Sequence, residues 1–432
     1  MITILAIVLL VASGMAQPST VTQSLTQNAD GFTAATTQTA QNTATATSPG
    51  SVAVVTQNQA ITQNAGTNMA GTATVTQTGQ NSQPGTSTGA AGSSLTAAIN
   101  QNAVTTAGGT LNQRARNNDL SLVSGSANQV ITQAITQTAS AGAATNINQG
   151  GIGGGANPAM NRARNLGANG AVQQSLTQTA DGGNNVAQRA VNGGPVAAWS
   201  SASPGAPVAP LFNGGNGARA NGVVAQTLTQ NAGQTTLAQG GVVQQGENLG
   251  VPSDDGATLT QAVTQAGTTA GTGVGASVTQ TANNFQANWY PWEIDDLVIN
   301  QAITQTGRAT GGVAANVVNQ NAGNFGQQWD ANGVFNQVIT ATAWGTFVNQ
   351  GTVVNPMRNW VDVNTYMAPP WSATVNQAQT LTATATGLGN AVQASTNTAA
   401  ALWAPAATGT LAQAIQQQNA GFAAATQAAL NN

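Results

Sequence analysis

The sequence predicts an all-β chain of stacked repeats, a β-solenoid or stack of β-arches. Three observations lead there: one nine-residue phrase returns again and again, its residues alternate between apolar and polar, and only 4% of the 432 residues are charged. Recurrence at a fixed period marks a repeat architecture, and alternation marks an extended strand.

The phrase reads apolar-x-Gln-x-apolar-Thr-Gln-(Asn/Thr/Ala)-(Ala/Gly). It begins at Val21-Thr-Gln-Ser-Leu-Thr-Gln-Asn-Ala29 and returns as Gln59–Ala65, Ile131–Ala139, Val172–Ala180, Val224–Ala232, Leu259–Gly267 and Ile299–Gly307. Looser copies lie at Leu95–Ala103, Phe335–Ala343, Gln377–Ala385 and Leu411–Asn419. Taking the second apolar residue as marker, the eleven copies run from Leu25 to Ile415, ten gaps averaging 39 residues. The prediction is therefore about 11 units of about 39 residues with irregular loop insertions. A shorter phrase, as in Val75–Gly79, Val278–Ala282 and Val317–Ala322, follows several copies, so each unit reads as one long strand and one short strand. The widest gap holds a Pro/Gly-rich insertion at about 193–216, predicted to loop out.

In an extended strand, Val21, Gln23, Leu25, Gln27 and Ala29 share one face, and Thr22, Ser24, Thr26 and Asn28 share the other. Two glutamines on an apolar face are costly to bury unpaired. Stacking copies about 4.8 Å apart removes the cost, because each amide donates to one neighbour and accepts from the other. The predicted ladder residues are Gln23, Gln27, Gln59, Gln63, Gln133, Gln137, Gln174, Gln178, Gln226, Gln230, Gln261, Gln265, Gln301 and Gln305. A helical reading finds no apolar stripe, and the Gly and Thr content disfavours it.

Composition removes most chemistry. The chain has no histidine or cysteine, and its eight basic residues are all arginines. Thiol and imidazole nucleophile systems, most zinc sites and lysine-dependent phosphate loops are thereby excluded, no cofactor-binding pattern is found, and the sequence argues against an enzyme. A formal charge of −3 offers no footprint for nucleic acid. Acids cluster at Asp254-Asp255 and Glu293–Asp296, the latter among Trp289, Tyr290 and Trp292. Solvated loop, calcium site, contact between subunits and carboxylate pair are the readings open there, the loop being favoured. Gly150–Gly155 reads as a loop, and Arg114/Arg116 and Arg162/Arg164 as pairs on one strand face. Tryptophans gather beyond residue 285, as a lateral interface or a surface for glycans.

Residues 1–16 read as a secretory signal peptide: a short apolar run, Met1–Ala12, precedes small residues at Gly14 and Ala16. Residues 17–432 then form a single repetitive β domain with no later membrane span. No Asn-x-Ser/Thr acceptor occurs.

Val75-Thr-Gln-Thr-Gly-Gln-Asn81 and Gln230-Asn-Ala-Gly-Gln-Thr-Thr-Leu-Ala-Gln239 resemble the repeats of curlin-type secreted amyloid subunits. In size, leader, scarcity of charge and Gln/Thr/Ala repeats the chain resembles the sheath proteins of filamentous methanogenic archaea. The resemblance implies an amyloid-like tubular casing. The expected function is a secreted structural subunit that self-assembles at the cell surface, its partner another copy. The rival expectations are an ice-binding solenoid, suggested by Thr43–Thr47 and Thr382–Thr386, and an adhesin.

Overall fold

The computed structural model describes residues 2–13, 19–30, 35–47, 54–67, 73–83, 90, 92–106, 108–122, 129–142, 145–150, 158–165, 169–193, 218–220, 222–234, 241–252, 256–270, 275–286, 296–311, 316–329, 333–352, 354–364, 372–402 and 408–432. Among them the regular structure is entirely β, in two parallel sheets. Sheet I has eleven strands: β2 (Ser19–Asp30), β4 (Val55–Thr67), β6 (Ser94–Thr105), β8 (Val130–Ala141), β11 (Ala171–Gly182), β14 (Val223–Gln234), β16 (Thr258–Ala270), β18 (Leu297–Thr310), β20 (Gly333–Gly345), β23 (Ser372–Ala385) and β25 (Thr408–Ala420). Each carries one copy of the long phrase. Sheet II holds fifteen: β1 (Ile2–Ser13), β3 (Thr36–Thr47), β5 (Ala73–Ser82), β7 (Gly109–Leu122), β9 (Thr145–Gln149), β10 (Ala159–Asn165), β12 (Asn185–Asn192), β13 (Ala218–Ala220), β15 (Gly241–Pro252), β17 (Ser277–Gln286), β19 (Val317–Trp329), β21 (Phe347–Gln350), β22 (Met357–Asn364), β24 (Asn390–Leu402) and β26 (Ala424–Asn431).

The chain alternates between sheets, so a strand faces its successor across the core and hydrogen-bonds the strand one coil away: a β-solenoid of stacked β-arches. Eleven rungs at about 4.8 Å give a body about 50 Å long. In sheet I the register keeps like on like, as in Gln174–Gln226, Leu176–Leu228 and Gln178–Gln230 between β11 and β14.

The core interdigitates large against small. Near one turn, Ala103, Ala139 and Ala180 of sheet I meet Leu111, Ile147 and Val186 of sheet II. One row further in the sizes reverse, and Ile99, Ile135 and Leu176 meet Ala115, Ala159 and Ala190. Glycines on either sheet take a large neighbour at close range: a Cβ on Gly246 would lie 2.9 Å from Leu228 Cδ2, and one on Gly307 2.6 Å from Val318 Cγ1. Such alternation fills the space between the sheets at interior density.

Three expectations are corrected or sharpened. The second strand of a unit is not short: β3, β7 and β19 have 12, 14 and 13 residues. Only its first half carries the apolar-Thr-Gln pattern; the second half is Asn and small residues, which β-propensity does not flag. In β23 the true counterpart of the apolar marker is Gln379, aligned with Ile339 and Ile415, and Leu381 lies two residues on. Gln377, held between Gln337 and Gln413, sets that register. Thr43–Thr47 and Thr382–Thr386 fall in opposite sheets and form no common array. The apolar run Ile2–Ser13 forms β1 and pairs with β3 from Ile2–Thr36 to Ser13–Thr47.

Three rungs of sheet II are each made of two strands separated in sequence: β9/β10, β12/β13 and β21/β22. The Pro/Gly-rich insertion sits in the second; residues 194–217 lie outside the described set, but its ends are fixed. Asn192 pairs with Asn248 and Ala218 with Gly250, so only Leu249 spans the gap on β15. Arg189 and Ala394 span the other two. At every exit stands a glycine of positive φ: Gly150 (77°), Gly193 (101°) and Gly351 (70°). A Cβ there would fall onto the carbonyl oxygen of Arg189, Leu249 or Ala394 respectively. Each glycine N–H still reaches the previous rung, to Gln113, Asn161 and Gln320 at 2.8–2.9 Å. Glycine alone combines that turn with that approach.

Candidate functional site: four amide ladders and their ends

Inward-facing polar side chains are amides stacked in columns. In sheet I, Gln27, Gln63, Gln137, Gln178, Gln230, Gln265 and Gln305 form one ladder as predicted, joined by Gln101, through seven Nε2–Oε1 bonds of 2.7–2.9 Å. Gln23 and Gln59 begin a second ladder with a 3.4 Å bond. Ala97 interrupts it, and it resumes at Gln133, Gln174, Gln226, Gln261 and Gln301, continuing through Gln337 and Gln377 to Gln413. All fourteen predicted glutamines thus lie in the two columns.

Sheet II adds two ladders that the long phrase does not reveal. Gln38, Gln77, Gln113, Gln149, Gln188, Gln244, Gln280, Gln320, Gln350, Gln393 and Gln427 form ten successive bonds of 2.7–3.0 Å. Asn42, Asn81, Asn117, Asn161, Asn192, Asn248, Asn284, Asn324, Asn359, Asn397 and Asn431 form ten more of 2.8–3.1 Å. The overlooked signal is Gln-x-x-x-Asn, present in nine of these rungs from Gln38/Asn42 to Gln427/Asn431. The loops after Gln149 and Gln350 stretch that spacing in the other two.

The second amide proton is used as well. Gln63 donates to the Thr78 carbonyl at 3.0 Å, and Asn81 to that of Ala98 at 3.1 Å. Polarity differs between the columns. Every ladder glutamine donates toward the N-terminal rung, whereas every ladder asparagine of sheet II donates toward the C-terminal rung. Where a column breaks or begins, its polarity leaves a buried acceptor without a partner. Gln59 Oε1 faces Ala97 and Gln305 Oε1 faces Ala341. Asn42 Oδ1, at the start of the asparagine column, is the third. Leaving such a group unmade costs about 1–3 kcal/mol.

The two ends differ. Gln38 and Asn42 are 0% exposed. Gln427 and Asn431 are exposed, and among the described residues no strand lies on the far edge of β25 or β26.

Charges sit mainly on the outer face of sheet II. Arg114 and Arg116 share that face as predicted; burial and then Arg114 lower the pKa of Arg116. Arg162 and Arg164 alternate with buried Asn161, Ala163 and Asn165. Burial raises the Glu247 carboxyl above the usual range, and Arg189 partly offsets this. Asp254-Asp255, Glu293 and Asp295 lie outside the described residues, as do Gly151–Gly155, Trp289 and Trp292. Asp296 is exposed. Trp344 and Trp360 are half-buried, and Phe285 stacks on Phe325 at 5.0 Å between centroids. A depression of about 260 Å³ beside Gly351 is lined by amides and hydroxyls, among them Thr281, Asn319, Asn349 and Thr352. No described helix is long and apolar enough to cross a membrane. Comparison with protein-family models, curated proteins and solved structures gives no match.

Proposed function

We propose that this chain is a secreted structural subunit that stacks on further copies of itself to build a cell-surface sheath, fibre or matrix, without enzymatic activity. The observation that supports this best is the edge of β25 and β26, which no described strand covers. Its Gln413, Gln427 and Asn431 are the residues that other rungs bury in ladders, and strand edges left in that state template further strands. The ladder amides, costly in isolation, gain partners with each added copy. Scarcity of charge leaves little repulsion between stacked subunits. The resemblance to methanogen sheath proteins and curlin-type subunits points the same way. Cryo-electron microscopy with fibre diffraction tests it: filaments, hoops or sheets with a repeat of about 4.7–4.8 Å are expected. A stable monomer at high concentration overturns it.

A second reading rests on the outer face of sheet I. One register position there is threonine in nine of eleven strands, from Thr26 and Thr62 to Thr340 and Thr380, with Asn100 and Gln416 the exceptions. Ice binding by that row requires thermal hysteresis from dilute monomer; an adhesin requires glycan binding by the same species.

A further inference from the structure

We propose that β1 is a plug, occupying on the edge of β3 the seat of Ala424–Asn431 from a second copy. The inference rests on the stacking reading and adds to it a joint of defined register and a condition for its formation.

The first and last rungs match. Gln23/Gln27 and Gln38/Asn42 at one end have the same four-residue spacing as Gln413/Gln417 and Gln427/Asn431 at the other. Polarity matches too. Asn431 accepts from Asn397 through Oδ1, so its Nδ2 is the donor that the column presents onward. Asn42 Oδ1 is the buried acceptor lacking such a donor. The glutamine column runs the other way: Gln427 donates back to Gln393, leaving Oε1 to accept from Gln38 of the next copy. Seating one last rung on the next first rung therefore continues the asparagine column and the glutamine column beside it, each in its own direction.

β1 prevents this without replacing it. Its backbone pairs with β3 along the whole strand, but Ile4 stands at the register position of Gln38 and Val8 at that of Asn42. Neither carries an amide. The edge is covered while both columns stop, so removal of β1, which lies within the residues 1–16 read as a secretory leader and would be lost with it on export, exchanges a strand without ladders for one that extends them.

The test uses the full chain with a specific protease site placed within residues 14–18 and the substitutions Thr37→Cys and Thr426→Cys, the native chain having no cysteine. Thr37 and Thr426 precede the ladder glutamines Gln38 and Gln427, and they become neighbours only across the proposed joint. In the uncut chain Thr3 lies opposite Thr37. Cleavage is expected to abolish the lag before assembly and to let oxidation produce a ladder of disulfide-linked multimers. Equal assembly of cut and uncut chain overturns the plug while leaving stacking intact. Assembly after cutting without the Thr37–Thr426 disulfide overturns the register. If neither form assembles while both retain β-sheet circular dichroism, the stacking reading falls and the plug with it.

Discussion

Sheet I repeats itself visibly and sheet II does not, yet sheet II has the unbroken spine. Both glutamine columns of sheet I are interrupted, at Ala97 and at Ala341, whereas the two amide columns of sheet II pass from β3 to β26 without a gap. Three of the sheet II rungs are even cut by loops, and the amides on either side of each cut stay in line. Regularity of sequence and continuity of hydrogen bonding are thus separate properties. A lost ladder member in sheet I is tolerated because its neighbours keep their second bonds to facing carbonyls, as Gln59 does with Ser82 at 3.0 Å.

The sharpest way to break the comparison is to cut one column in each sheet. Gln244→Leu leaves Gln188 Oε1 without its donor and removes bonds to the Gln230 and Ala266 carbonyls. It should cost about 2–4 kcal/mol. Gln305→Leu, at an existing column end, strands Gln265 Oε1 but removes an acceptor already stranded, so about 1 kcal/mol is expected. Denaturant midpoints of the two variants give the ratio. Next comes Gly246→Val, which drives methyl groups against Leu228 and Val263 and should cost about 1–3 kcal/mol by the same measurement.

Repair is the converse. Ala97→Gln places an amide between Gln59 and Gln133, closing the column, and should raise stability by about 1 kcal/mol. Ala341→Gln should raise it less, because Leu381 follows and the stranded acceptor only moves one rung. The smallest effect is a pH dependence. Glu247 has a folded pKa above its unfolded one, so its contribution favours the fold at acid pH and is lost as pH rises through the folded value. Thermal unfolding followed from acid to neutral pH should fall in the parent and flatten in Glu247→Gln.

Sheet I was legible because its phrase states both periods at once: apolar residues two or four apart within a strand, and the whole phrase one coil apart. All fourteen predicted ladder glutamines follow from that, and Leu381 is out of register because in β23 the glutamine at 377, not the apolar residue, fixes the alignment. Sheet II was half legible. Val75-Thr-Gln-Thr-Gly79 announces its strand, but Asn81 does not, because asparagine is a poor strand former whose place is secured only by the column above and below it. The threonine row of sheet I was hidden for a related reason: each rung contributes a single residue, and a row across the chain leaves no run along it. The stranded acceptor of Asn42 and the polarity of the columns could not be read from sequence, since they depend on which amide atom faces which neighbour.

The glycine exits have a consequence for how such a chain can change over time. A loop that departs at Gly150, Gly193 or Gly351 and returns opposite a single residue of the next strand makes no demand on its own length. Loop closure grows costlier only slowly with added residues. Decoration can therefore be rewritten freely, gaining or losing tens of residues at a stroke, while the spine beneath inherits no error from it.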